Sequence, residues 1–194
     1  MTTANAPRRA RQTRSRLVPS PEDLLLPEFV AVDFETANRM GGVSACQVAL
    51  VKVNEGEIVD RFSTYLKPPE EYDRYEFTWL HGISRRHTKD APSWYHAADD
   101  ISDFVLDSPV YAHNASFDAR VWRDLDAYFG IRTLPSRFYC SYRLAKDTVP
   151  GLPNYKLPTV ARACAPGFTL DHHRAESDAE ACALIVAAIQ RQSR

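Results

Sequence analysis

The run FVAVDFET at 29–36 is apolar until it closes on two acids, Asp33 and Glu35. Residues two apart on a strand share a face, so Phe29, Ala31, Asp33 and Glu35 point one way while Val30, Val32 and Phe34 point the other. Burying even a neutral polar group without a hydrogen bond costs roughly 2–7 kcal/mol, and a charge costs more, so these acids are either exposed or meet something positive. The spacing alone is weak, because Asp178 and Glu180 repeat it and a solvated strand end would read the same way. The flanking apolar residues raise its weight: they mark a central strand, and sites of α/β sheets lie beyond the carboxyl ends of such strands.

A second candidate lies in AHNASFDARVW. The spacing predicts a helix over 116–129 with Ser116 as its N-cap, which puts Asp118 on the inward stripe of Trp122, Leu125 and Phe129. A first-turn acid that merely complements the helix dipole would contribute about 0.3–1 kcal/mol, but that explains its position along the helix and not its facing. The third is HHRAESDAEACALIV, where Asp178 shares a stripe with Cys182, Ile185 and Ile189. Glu176, about 200° around the helix from Asp178, falls with Glu180 on the solvent face. His173 sits five residues before Asp178, at or just ahead of the helix start, although surface His pairs are common. Four inward acids from three segments would repel severely in a low-dielectric cleft. Divalent cations relieve that repulsion, all-oxygen ligation suits Mg²⁺ or Mn²⁺, and four negative charges match two dications.

The elements that must position these groups read as follows. ACQVALVKV (45–53) and IVDRFSTYL (58–66) are strand-like runs joined by NEGE, a hairpin signal with Gly56 at the turn. Residues 67–95, rich in proline and aromatics and without periodicity, read as a long ordered loop of the functional kind. Helical spacing begins at Ala97; VYAH (110–113) and RFYCSY (137–142) read as short strands, LPTVARACA as a short helix and RAESDAEACALIVAAIQ as a long one. A hairpin followed by strand–helix alternation predicts an α/β domain with a mixed sheet covered by helices.

Composition sets the outer bounds. At 194 residues, 44% hydrophobic and 25% charged, the chain reads as a soluble globular protein of one domain. Its length leaves no room for a polymerase or helicase, so a lone catalytic domain is expected. Cys46, Cys140, Cys164 and Cys182 show no C-x-x-C pair and read as core residues in a reducing compartment, consistent with a cytoplasmic protein. No apolar run approaches the ~18 residues of a membrane span. Residues 1–27 read as a disordered basic arm and linker ahead of a domain over 28–194. Arg8, Arg9, Arg11, Arg14 and Arg16 stand there without an acid, while the whole chain carries a formal net charge of −1. The arm reads as a solvated tail, a phosphate-contacting segment or an Arg-rich transit peptide.

VDFET, AHNASFD and HHRAESD resemble, in order and type, the three exonuclease motifs of the DEDDh superfamily, and most of all the family of the bacterial DNA polymerase III epsilon subunit. SACQVALVKV, HGIS, YCSYRLAK and YKLPTVA extend the resemblance over residues 28 to about 190. It implies a ribonuclease H-like three-layer fold, whose mixed central sheet combines an antiparallel hairpin edge with parallel strands between helices, and 3′ to 5′ exonuclease activity.

Residue by residue, the resemblance assigns Asp33, Glu35 and Asp178 to one of two divalent cations, Mg²⁺ or Mn²⁺, with Asp33 bridging to the second and Asp118 reaching it. His173 would be the general base, since Arg174 stands where the other branch of the superfamily has Tyr. Phe34, Thr36, Ala37, Leu80 and His81 would flank the terminal nucleotide, and Asn114 would steady the second motif. The substrate implied is the 3′ end of single-stranded DNA, released as nucleoside 5′-monophosphates. RNA trimming, an oligoribonuclease-like role or a replisome-associated proofreading module are the alternatives. A polymerase or sliding-clamp partner enters through QTRSRL, which is loosely similar to a clamp-binding peptide but lacks its aromatic residue. Two departures stand out: Ala37, where many relatives have Thr or Gly, and Glu176, where Leu is common.

Overall fold

The computed structural model describes residues 17–194; the arginines of the arm and all but the last residue of QTRSRL lie outside the described residues. Five strands form one mixed sheet: β1 (Glu28–Thr36), β2 (Ala45–Asn54), β3 (Glu57–Tyr65), β4 (Val110–Ala112) and β5 (Phe138–Cys140), in the order β3-β2-β1-β4-β5. The β1–β2 and β2–β3 pairs are antiparallel, and β1–β4 and β4–β5 are parallel. The hairpin forms where NEGE predicts it. Glu55 and Gly56 both adopt positive φ, 52° and 82°, as a two-residue turn matched to strand twist requires.

β1 is apolar on both faces because both are covered. Phe29 and Ala31 pack with Ala49, Val51 and Val53 beneath the long helix α8 (Ala175–Ser193) and its neighbours α6 (Ser141–Thr148) and α7 (Leu157–Cys164). Val30, Val32 and Phe34 face α4 (Trp94–Val105) and α5 (Asp118–Phe129). There Phe34, Trp94 and Trp122 meet with ring centroids 5.4–5.9 Å apart. Edge strand β3 alternates exposed and half-buried residues, as a one-sided strand should.

Four details differ from the sequence reading. α5 starts at Asp118, and Ser116 does not cap it: its hydroxyl donates to Asn114 Oδ1 at 3.3 Å. The SYRLAK stretch after β5 turns directly into α6. The long loop contains two single-turn helices, α2 (Thr78–His81) and α3 (Arg85–Thr88), too short to show a period. Residues 17–27, read as linker, are docked on the domain. Leu17 O accepts from Cys140 N at 2.7 Å, and α1 (Pro21–Leu24), capped by Ser20, sits where Tyr139 Oη donates to Asp23 at 2.6 Å. Buried Gln190 of α8 donates to Leu24 O at 2.7 Å and Leu26 O at 3.0 Å.

Candidate active site

The carboxyl end of β1 opens into a cavity of about 540 Å³ lined by Asp33, Glu35, Phe34, Thr36, Leu80, Asn114, His173 and Asp178. Strand alternation delivers Asp33 and Glu35 to the α8 side of the sheet, in register with Ala49 and Gln47 of β2. Asp178, in the first turn of α8, comes down over them. Carboxylate oxygens of Asp33, Glu35 and Asp178 lie within 4.8 Å of one another. Asp118 reaches the same end of β1 from α5, and the backbone N–H of Phe34 donates to its Oδ1 at 3.2 Å.

Burial first, and mutual repulsion after it, set the protonation of this group. Asp33 is held well above the ordinary carboxylate range by burial and then by Asp118, Asp178, Glu35 and Glu176. Glu35 is pushed up to about 8 by burial, Asp178, Asp118 and Glu176. Asp118 rises to about 7 through burial, against the opposing effect of the Phe34 N–H. Asp178 is raised by burial despite its bonds to the histidines. Among the described residues no Lys or Arg pairs with any of the four; Asp178 meets the imidazole of His172. A set of crowded, uncompensated hard oxygens fits a hard divalent cation.

The two histidines divide their work. His172 Nδ1 lies 3.1 and 3.0 Å from the two Asp178 oxygens, and the His173 N–H donates to Asp178 Oδ2 at 3.0 Å. The rings stack with centroids 3.9 Å apart. His173 takes φ 69°, a left-handed conformation unfavourable for its side chain, as the chain swings from the preceding loop into α8. Its imidazole titrates below its ordinary value, through burial and then the neighbouring His172.

Of the expected nucleotide-flanking residues, Phe34, Thr36, Leu80 and Asn114 line the cavity. Ala37 and His81 stand behind its wall. Ala37 is fully buried with Cys46 and Ile83, and its carbonyl accepts from the N–H groups of Glu76 and Phe77. His81 is a brace: Nδ1 accepts from Ile83 N at 3.0 Å, so Nε2 carries the proton directed at Thr36 O, 3.2 Å away.

Sequence reasoning did not single out Phe77, His113, Phe117, Tyr142, Lys156, Leu157 or His172, which complete the lining. His113 bridges Ser141 Oγ and Tyr155 O, each at 2.9 Å, and burial holds it neutral, down to about 4. Its position within AHNASFD is a usable signal, as is that of Tyr142 in YCSYRLAK and of Lys156 in YKLPTVA, although neither stretch by itself says which of its side chains faces the cavity.

Comparison with known proteins places this geometry. The pattern of the RNase_T family, described as exonuclease, matches residues 30–186. The chain is 31% identical over 159 residues to a PolC-type DNA polymerase III of Caldanaerobacter subterraneus subsp. tengcongensis, covering 81% of this chain and 11% of that one. It is 27% identical over 171 residues to the 3′-5′ exonuclease DinG of Bacillus subtilis, covering 86% of this chain and 18% of that one. The chain thus spans under a fifth of either relative. Exonuclease X in complex with 5′ overhanging duplex DNA is similar in structure, with a TM-score of 0.66, 25% identity and coverage of 84% and 92% of the two chains.

Proposed function

Since the chain belongs to the RNase_T exonuclease family, with the ribonuclease H-like fold and the motifs of the DEDDh exonucleases, we propose that it is a 3′ to 5′ exonuclease that removes nucleotides from single-stranded DNA 3′ ends as 5′-monophosphates. The observation that carries this is the convergence of Asp33, Glu35 and Asp178 within 4.8 Å in a cavity that also holds His173.

The family uses divalent metal, and the oxygen set fits it. Asp33, Glu35 and Asp178 would hold one Mg²⁺ or Mn²⁺, and Asp33 with Asp118 a second. Such ions would supply positive charge toward the scissile phosphate and the departing 3′-oxygen and would acidify a water. His173, its proton affinity lowered by burial, accepts the water's proton near neutral pH. His172, donating to Asp178, orients that carboxylate. Leu80 presents apolar surface for a terminal base to stack on, and Thr36 and Asn114 offer polar contacts to its sugar and phosphate; the Phe34 ring is packed against Trp94 and Trp122 and is not free to stack.

DNA is favoured over RNA by the relatives named as a DNA polymerase and by the DNA-bound neighbour, and a polymerase partner by the first of these. The four cysteines are free and, among the described residues, no helix is long and apolar enough to cross a membrane; both facts support a cytoplasmic enzyme. The test is a 5′-labelled oligonucleotide, as DNA and as matched RNA, incubated with Mg²⁺. A ladder of 3′-shortened products that chelator and Asp33→Ala both abolish is expected. No metal-dependent ladder on either strand, or full activity in Asp33→Ala, would refute the proposal.

A further inference from the structure

Glu176 stands on the face of α8 that the helical period assigns to solvent, and the residue is exposed. Its carboxylate is nevertheless fixed. Oε1 accepts from Gln47 Nε2 at 2.7 Å and from Ser63 Oγ at 2.7 Å. Both donors belong to the sheet that carries the active-site acids. Buried Gln47 is the β2 register partner of Glu35, and Ser63 of β3 is the partner of Ala49, itself the partner of Asp33.

The contrast with Glu180, one turn along the same face, is informative. Arg61 grips Glu180 with two bonds, 2.9 and 3.1 Å, and cancels its charge. Glu176 is held by neutral donors alone, and among the described residues no Lys or Arg pairs with it. Neutral donors immobilise a carboxylate without neutralising it, so a full negative charge stays pointed along the rows that end in Glu35 and Asp33. That charge is felt there: Glu176 contributes to the repulsion on both residues.

We propose that Glu176 is a positioning carboxylate of the active site: it ligates no cation itself but, fixed by Gln47 and Ser63, strengthens the hold of Asp33, Glu35 and Asp178 on a divalent cation. This rests on the metal-dependent nuclease reading above. Its sign follows from Coulomb's law, since a fixed negative charge attracts a dication twice as strongly as a proton. Its magnitude is tempered by exposure, because solvent and salt screen a group at the rim of the cleft.

The experiment titrates the full chain with Mn²⁺, reading free ion by electron paramagnetic resonance, at low and high salt. Glu176→Gln keeps the shape and an accepting oxygen for Ser63 while removing the charge. It is expected to weaken Mn²⁺ binding about three- to tenfold at low salt, with the gap closing as salt rises. Ser63→Ala, which loosens the carboxylate but keeps its charge, should lose part of that affinity, and Glu176→Asp should recover part of what Gln loses. Wild-type Mn²⁺ affinity in Glu176→Gln at low salt, or a loss that salt does not reduce, overturns the inference while leaving the nuclease reading intact. A wild-type chain that binds no Mn²⁺ and cleaves nothing overturns both.

Discussion

The backbone N–H of Phe34 donates to Asp118 Oδ1 across 3.2 Å, joining strand β1 to the first turn of α5 between the two acids of the first motif. A buried acid is thus fixed by the strand it serves. The bond needs an acceptor and not a charge. Asp118→Asn should therefore keep its melting temperature near wild type and still lose at least about a hundredfold in metal-dependent cleavage, whereas Asp118→Ala should lose both stability and activity. Thermal melting with single-turnover cleavage checks this, and a stable, fully active Asn variant would contradict it.

The acids also predict how the metal-free protein responds to pH. Glu35 ordinarily titrates near 4.5 and is pushed up to about 8 in the fold; Asp118 moves from 3.8 to about 7. Between the unfolded and folded values the native state binds more protons than the unfolded chain, so stability falls as pH rises through that window. In chelator, the melting temperature should decline from about pH 5 to pH 8. Saturating Mg²⁺ should restore it, most at the alkaline end. A flat profile in chelator would show that the carboxylates are not crowded as described.

His173 and His172 should separate cleanly. His173→Ala is expected to lower turnover by about 10²–10⁴-fold with substrate binding retained, the range for loss of a general base. His172→Ala removes a bond to Asp178 but no proton acceptor for the water, and should keep turnover within about tenfold of wild type. Because His173 sits at φ 69°, His173→Gly should melt higher than His173→Ala. Equal losses in the two single alanine variants would contradict this division of roles, and a larger loss in His172→Ala would reverse it.

Gly42 ties the loop after β1 to α5. Its N–H donates to Asp124 at 3.0 Å, and a Cβ there would stand 2.5 Å from the Val121 Cα and 2.9 Å from Asp124 Cβ. Gly42→Ala should therefore destabilise the fold by about 1–3 kcal/mol. It should also depress cleavage, because the helix it displaces carries Asp118. Denaturant unfolding measures the first effect; wild-type stability would show that α5 yields freely.

The readable parts of this fold were those with a period. β1, β2 and β3 announce themselves through alternation and a Gly-bearing turn, and α5 and α8 through stripes ending in Phe129 and Ile189. Asp33, Glu35, Asp118 and Asp178 followed, because an acid on an apolar stripe is visible in one dimension. What stayed hidden depends on distant partners. The docking of residues 17–27 rests on Gln190 reaching backbone carbonyls and on Tyr139 meeting Asp23, neither of which has a pattern. α6 was masked because SYRLAK follows β5 without a break. Glu176 was assigned to solvent since a helical wheel records only the helix, and the hairpin of β2 and β3 passes beneath it. Ala37 and His81 lie in the right stretches of chain, but whether a side chain lines a cavity or braces its wall is decided by Thr36 O and Ile83 N, which only the fold brings near.

The short arc from His172 to Asp178 carries one last consequence. A single carboxylate receives the imidazole of His172 and the main-chain N–H of His173, whose own ring leans flat against its neighbour. Acid and base are geared to each other: Asp178 cannot turn toward a guest without tugging the peptide that aims His173. In the proposed nuclease, an empty pocket and a filled one should hold that imidazole at different angles, which would make arrival of a cation and aiming of the base a single event.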